Sequence, residues 1–195
     1  MDDVSLSLAE VIRGRTAFVG IGNTDRGDDG LGVRLAESLR EAGVEDVVIA
    51  GTTPENHVTG LAKRHYDTVV FFDAIGAGSS PGSVILLDAA EMRAKFPQVS
   101  THNLSLGTLA RLVQSESETR VWLLGVQPVS TDMGTRLSGV VEKSLAALTR
   151  LITQAKRASE RFPDSDDPHP ESWTRRPPLR AEAQITNHFT ASEPI

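Results

Sequence analysis

Residues Val69-Val70-Phe71-Phe72, opened by Thr68, form an unbroken apolar run. A strand with one wet face alternates apolar with polar residues. A run without alternation fits a strand covered on both faces, as in a parallel sheet with helices on either side. The rest of the chain agrees with such a sheet. Ala17–Ile21 reads as an earlier strand, and Leu31, Leu35, Ala36 and Leu39 then recur at helical spacing until the Gly43 region closes the helix. Val47–Ile49 reads as the next strand, stopped by Gly51-Thr52-Thr53-Pro54, and a helix is expected from about 55 to 64. Ser83–Leu87 and Val121–Val126 read as further strands, with helices over Leu104–Val113 and Ser138–Thr153. Strands alternating with helices make a doubly wound α/β sandwich. The Gly- and Ser-rich link from 74 to 82 is too short for a parallel crossover, so the fourth strand is expected to run antiparallel to its predecessor.

A length of 195 residues suits one domain with a tail. The expected division is a lead-in over 1–15, amphipathic around Leu6 to Ile12, a domain over 16–155, and a disordered tail over 156–195. Six of the ten prolines lie beyond residue 162, and Pro163-Asp164-Ser165-Asp166-Asp167-Pro168 cannot bury a core. With no cysteine there is no disulfide, thiolate metal site or cysteine nucleophile, which fits a reducing cytoplasm. The net charge of −6 speaks against a nucleic-acid partner. No apolar run approaches the roughly 20 residues of a membrane span. Met1-Asp2-Asp3 is too acidic for the start of a signal peptide.

Ligands of such a sheet gather at the carboxyl ends of its strands. The first of these ends leads into Gly20-Ile21-Gly22-Asn23-Thr24-Asp25-Arg26-Gly27-Asp28-Asp29-Gly30-Leu31-Gly32, where many α/β proteins hold a phosphate. A phosphate cradle needs backbone N–H groups and little negative charge. Asp25, Asp28 and Asp29 would repel an anion and suit a cation or a water awaiting activation. Asp73 ends the third strand, and His102 precedes the helix after the fourth. Asp29, Asp73 and His102 make a donor set for a divalent transition metal with open positions. Asp29 and Asp73 alone would suit a shared-proton pair that activates water. Simpler roles compete: Asp28 or Asp29 as a helix cap, Asp73 as a turn former, His102 as a cap or polar loop residue. His57, His65, His169 and His188 read as solvated. Asp25 stands where a dinucleotide fingerprint needs its third glycine, and the chain has no Walker loop, His-Glu-x-x-His or Gly-x-Ser-x-Gly.

At these residues the chain resembles the hydrogenase maturation proteases, nearest the hydrogenase 3 type. The shared pattern is Gly20–Asn23, Gly27–Gly32, Pro54-Glu55-Asn56, Asp73-Ala74, Pro81-Gly82, Thr101-His102-Asn103-Leu104-Ser105-Leu106 and Leu124-Gly125-Val126-Gln127-Pro128. The resemblance implies a three-layer α/β/α sandwich with a five-stranded, mostly parallel sheet. It implies a cytoplasmic endopeptidase that removes the C-terminal extension of a nickel–iron hydrogenase large-subunit precursor after nickel insertion. The nickel would come with the precursor, and Asp29, Asp73 and His102 match the family's metal-contacting residues. Asp29 and Asp73 are then also the candidate catalytic carboxylates, and Gly22, Gly27, Gly30 and Gly32 would admit the substrate backbone. One departure is Ala50, where many members carry an aspartate. The rival from another class is a module that checks for nickel without cutting; a nucleotide-binding protein is disfavoured by the aspartates.

Overall fold

Val69 and Phe71 turn to one face of a central sheet and Val70 and Phe72 to the other, and all four are fully buried. That is the covering on both sides that their sequence demands. In a computed structural model, residues 8–95, 105–115 and 118–161 are described. The strands are β1 (Thr16–Ile21), β2 (Val47–Gly51), β3 (Thr68–Ala74), β4 (Val84–Asp88) and β5 (Arg120–Val126). The helices are α1 (Leu31–Glu41), α2 (Val58–Lys63), α3 (Ala89–Lys95), α4 (Leu106–Gln114) and α5 (Gly139–Arg161), with a short helical stretch over 8–11.

The five strands lie in the order β2-β1-β3-β5-β4, with β4 antiparallel and the other pairings parallel. On one face Val19, Val69, Phe71 and Leu123 pack with Leu61, Met92 and Leu109 of α2, α3 and α4. On the other, Phe18, Val70, Phe72 and Leu124 pack with Leu31, Leu35, Leu39, Val141, Leu148 and Ile152 of α1 and α5. Phe18 and Phe72 stack with ring centroids 5.8 Å apart. Each fully buried phenylalanine of this kind contributes on the order of 2–3 kcal/mol.

The three-layer sandwich is the expected one, with four differences of detail. β4 does run opposite to β3, but β5 lies between them. The link from β3 crosses the end of β5, where Ile75 N donates to Val126 O at 2.9 Å and Gly82 N to Gln127 O at 2.8 Å. Helix α3 was not expected. It opens with reciprocal caps: Ala90 N and Glu91 N each donate to Asp88 Oδ1 at 2.8 Å, and Asp88 N donates to Glu91 Oε2 at 3.0 Å. Helix α5 runs to Arg161, so the first six residues of the expected tail, 156–161, are helical. Residues 156–161 add no apolar stripe, but they contain neither glycine nor proline, and a helix ends naturally before the residue preceding Pro163. The lead-in is also part of the core, since Leu8, Val11 and Ile12 pack beside Phe18 and Ile152. Residues 162–195 lie outside the described residues.

The sequence of β1 and α1 lets the helix start unusually close to the sheet. A Cβ on Gly20 would lie 2.4 Å from Gly32 O, and one on Gly32 would lie 2.2 Å from Phe72 O. These two glycines bring the first turn of α1 directly over the carboxyl ends of β1 and β3, where the acidic residues are.

Candidate active site

The chain leaves β1 through a loop and a 3₁₀ turn, Gly27–Gly30, before entering α1. Gly22 has φ +127°, and a Cβ there would lie 1.9 Å from the carbonyl oxygen of Asp29. The loop therefore closes on itself. The glycines of this loop make room for the chain's own backbone. At Gly27 a Cβ would meet Ser130 O at 3.2 Å, and at Gly30 it would meet Thr24 Cα at 2.9 Å.

Asp29 is buried at 5 % exposure, and Asn23 N donates to its Oδ2 at 2.8 Å. Asp73, near the end of β3, is buried at 6 % exposure, and Ala74 N donates to its Oδ1 at 2.8 Å. Because β1 and β3 are neighbours with Gly20 opposite Phe72, both carboxylates stand at the same rim of the sheet. Among the described residues, neither forms an ion pair, and Asp29 Oδ1 and Asp73 Oδ2 accept no hydrogen bond. Burial pushes the Asp73 carboxyl up to about 8; the charge of Asp29 adds to the rise and the Ala74 N–H opposes it. Near neutral pH, Asp73 thus holds its proton much of the time, and a cation nearby would favour its release.

Asp28 behaves differently. At 2 % exposure it is the most buried of the three. Its Oδ2 accepts from Val129 N at 2.8 Å, Ser130 N at 3.5 Å and Ser138 Oγ at 2.9 Å, and its Oδ1 accepts from Ser138 N at 2.6 Å. It caps no helix of its own: neither the 3₁₀ turn nor α1 has a side-chain cap. Its partners lie 101 to 110 residues away, so nothing near it in the sequence announces this role. The third loop of the rim, 75–82, is tied in where Ala77 N donates to Gln127 Oε1 at 2.8 Å.

His102, the third expected metal contact, lies outside the described residues. Among the described residues no group of three or more histidine or acidic side chains is placed to hold a metal ion. The structure brings Asp29 and Asp73 to one rim and turns Asp28 to a different task. His57 is half-buried in the 3₁₀ turn Pro54–His57. His65 follows α2 with φ +49° and is exposed. Ala50, at the departure from the family pattern, is buried in the sheet.

The fold is that of known peptidases. Residues 32–155 match the family model described as HycI, hydrogenase maturation protease. The hydrogenase 3 maturation protease of Escherichia coli K12 is 32% identical over 110 residues, covering 55% of this chain and 69% of that protein. The crystal structure of the [NiFe] hydrogenase maturation protease HycI from Thermococcus kodakarensis KOD1 superposes with a TM-score of 0.69 at 34% identity, covering 77% of this chain and 99% of that one. The hydrogenase maturating endopeptidase HybD of E. coli superposes with a TM-score of 0.62 at 26% identity, covering 74% and 93%. The chain belongs to the hydrogenase maturation protease family, and it is an endopeptidase of that family. Among its described residues no helix is long and apolar enough to cross a membrane.

Proposed function

We propose that this endopeptidase removes the C-terminal extension of a nickel–iron hydrogenase large-subunit precursor once nickel has been inserted. Asp29, Asp73 and His102 are proposed to contact the nickel that the precursor brings. The observation that carries this reading is the pair of buried carboxylates at one rim, each with an oxygen that no described neighbour claims. Leaving such groups without a counter-charge costs stability, and a visiting cation would repay it. The donor chemistry fits, because carboxylate oxygens and an imidazole nitrogen are ordinary ligands for nickel. As part of the substrate, the nickel supplies positive charge that fixes the precursor against the rim.

The chain's own contribution begins with Asp73, which must release its proton to meet a cation. Peptide hydrolysis then needs a base for water. Asp29 or Asp73, whichever keeps an oxygen clear of the metal, takes a proton as the water oxygen adds to the scissile carbonyl carbon. The leaving amine receives a proton as the C–N bond breaks. A cysteine-free chain fits the reducing cytoplasm as the site of this reaction.

The test is to incubate the protein with nickel-loaded and nickel-free precursor and to weigh the large subunit. A shortened subunit from the loaded form alone is expected. No shortening of the loaded form would refute the reading, and equal shortening of both would remove nickel from it while keeping the peptidase.

A further inference from the structure

The aspartate next to Asp29 is the best-bound carboxylate of the rim, and the cleavage chemistry proposed above makes no use of it. Asp28 and Asp29 are consecutive in a single 3₁₀ turn, so their side chains leave it in different directions. Asp29 turns to the Asn23 N–H, and Asp28 turns to the segment that joins β5 to α5. That segment is locked to the turn from both sides. Gly27 N donates to Gly134 O at 2.5 Å, Asp28 N donates to Ser130 O at 3.2 Å, and Gly134 N donates to Asp25 O at 2.9 Å. Arg26 Nε reaches Thr131 O at 3.1 Å, and Arg34 reaches Thr135 O at 2.6 Å from α1. At the centre of this lacing, the Asp28 carboxylate takes four donors. Two of them belong to Ser138, whose carbonyl accepts the first bond of α5 from Glu142 N at 2.9 Å. Asp28 therefore holds the start of a 23-residue helix and the end of β5 to one short turn. A negative charge at a helix N-terminus is also electrostatically favoured.

We propose that Asp28 is a positioning residue for the cleavage reaction. By anchoring its turn to 129–138 it fixes the direction in which Asp29 faces the substrate. The inference rests on the assignment of Asp29 to the reaction. It follows from scale: a catalytic group displaced by about 1 Å loses on the order of a hundredfold in rate. The Asp29 carboxylate accepts only one described hydrogen bond to hold it.

Asp28→Asn keeps the size of the side chain but turns one acceptor oxygen into a donor that faces Val129 N–H and the Ser138 hydroxyl. Ser138→Ala removes only the hydroxyl donor and leaves the backbone N–H bond. Both variants are to be assayed with nickel-loaded precursor at a temperature where circular dichroism shows them folded, with kcat and KM determined separately. For Asp28→Asn the expectation is a fall in kcat of roughly a hundredfold with KM within about threefold of wild type; for Ser138→Ala it is a fall of a few-fold in kcat. A merely structural role would lower the melting temperature but leave kcat per folded molecule intact. A folded Asp28→Asn with wild-type kcat overturns the inference. If Asp28→Asn does not fold, an unchanged kcat in Ser138→Ala overturns it instead. Asp29→Asn in the same assay keeps the two claims apart. If it is inactive while Asp28→Asn is undiminished, only the positioning role falls. If it is fully active, the assignment of Asp29 falls, and the positioning role falls with it.

Discussion

The two ends of the sheet treat their acidic residues in opposite ways. At the amino end, Asp46 is surrounded by partners. Arg15 Nε lies 3.5 Å from it and Arg64 3.6 Å, and the Tyr66 hydroxyl donates to it at 2.8 Å. Arg15 also sits 4.7 Å over the Tyr66 ring, and its backbone N–H donates to Asp67 at 2.7 Å. At the carboxyl end, Asp29 and Asp73 stand at one rim with one backbone N–H apiece and no described cation. A carboxylate that is fully partnered serves the fold. Two that are buried and under-partnered in the same place are held there at a cost to the fold. Asp28 shows that the carboxyl end is able to satisfy a buried carboxylate where structure requires it. The want of partners at Asp29 and Asp73 is thus specific to those two positions.

The contrast is open to attack by substitution, and the largest effect is expected in processing. Asp29→Asn and Asp73→Asn should each cut the rate of precursor cleavage by roughly a hundredfold to ten-thousandfold, the usual worth of a positioned acid or base. Mass spectrometry over a time course would measure this, and near-normal rates in both variants would erase the distinction between the two ends.

Stability should move the other way at Asp73. Its folded pKa of about 8 lies above the ordinary 3.8, so the folded state binds more protons than the unfolded chain between those values. Folding stability should accordingly fall as pH rises from about 4 to about 8. Asp73→Asn removes the titration, and at pH 8 it should be more stable than wild type by on the order of 2 kcal/mol, read from urea unfolding. An equal loss of stability at pH 5 and pH 8 would contradict the burial argument.

Activity should carry the same titration. If Asp73 must be ionised to meet the cation or act as base, cleavage should rise roughly fiftyfold between pH 6 and pH 8. A rate that falls over this range would make the protonated Asp73 the working form, as an acid. At the other end of the sheet, Asp46→Asn should cost only about 0.5–1 kcal/mol, less at high salt, and leave processing unchanged. Asparagine tolerates the positive φ of +52° at this position, so the substitution tests the charge alone. Loss of cleavage in this variant would show that the amino end is not a purely structural cluster.

What the sequence made legible follows from how local each signal is. The five strands could be read because their apolar runs are short and bounded by turns, and the opposite direction of β4 followed from the length of one loop. The insertion of β5 between β3 and β4 could not be read, because pairing between strands leaves no mark in either one alone. Helix α3 did leave a mark, in Asp88 and Glu91 at capping spacing, but its apolar face of Ala89 and Met92 is too small to stand out. The end of α5 was expected at Thr153, although a stretch without glycine or proline carries it on to Arg161. At the rim, the meeting of Asp29 and Asp73 was legible from their places at the ends of neighbouring strands. The task of Asp28 was not, since its donors come from Val129, Ser130 and Ser138 on the far side of the fold.

The most direct test of the acidic rim is single-turnover cleavage of nickel-loaded precursor by wild type, Asp29→Asn and Asp46→Asn, with the large subunit weighed intact at each time point. Wild type and Asp46→Asn are expected to release the C-terminal peptide at the same rate, and Asp29→Asn to leave the precursor at full mass. Release of the peptide by Asp29→Asn at the wild-type rate would contradict the assignment.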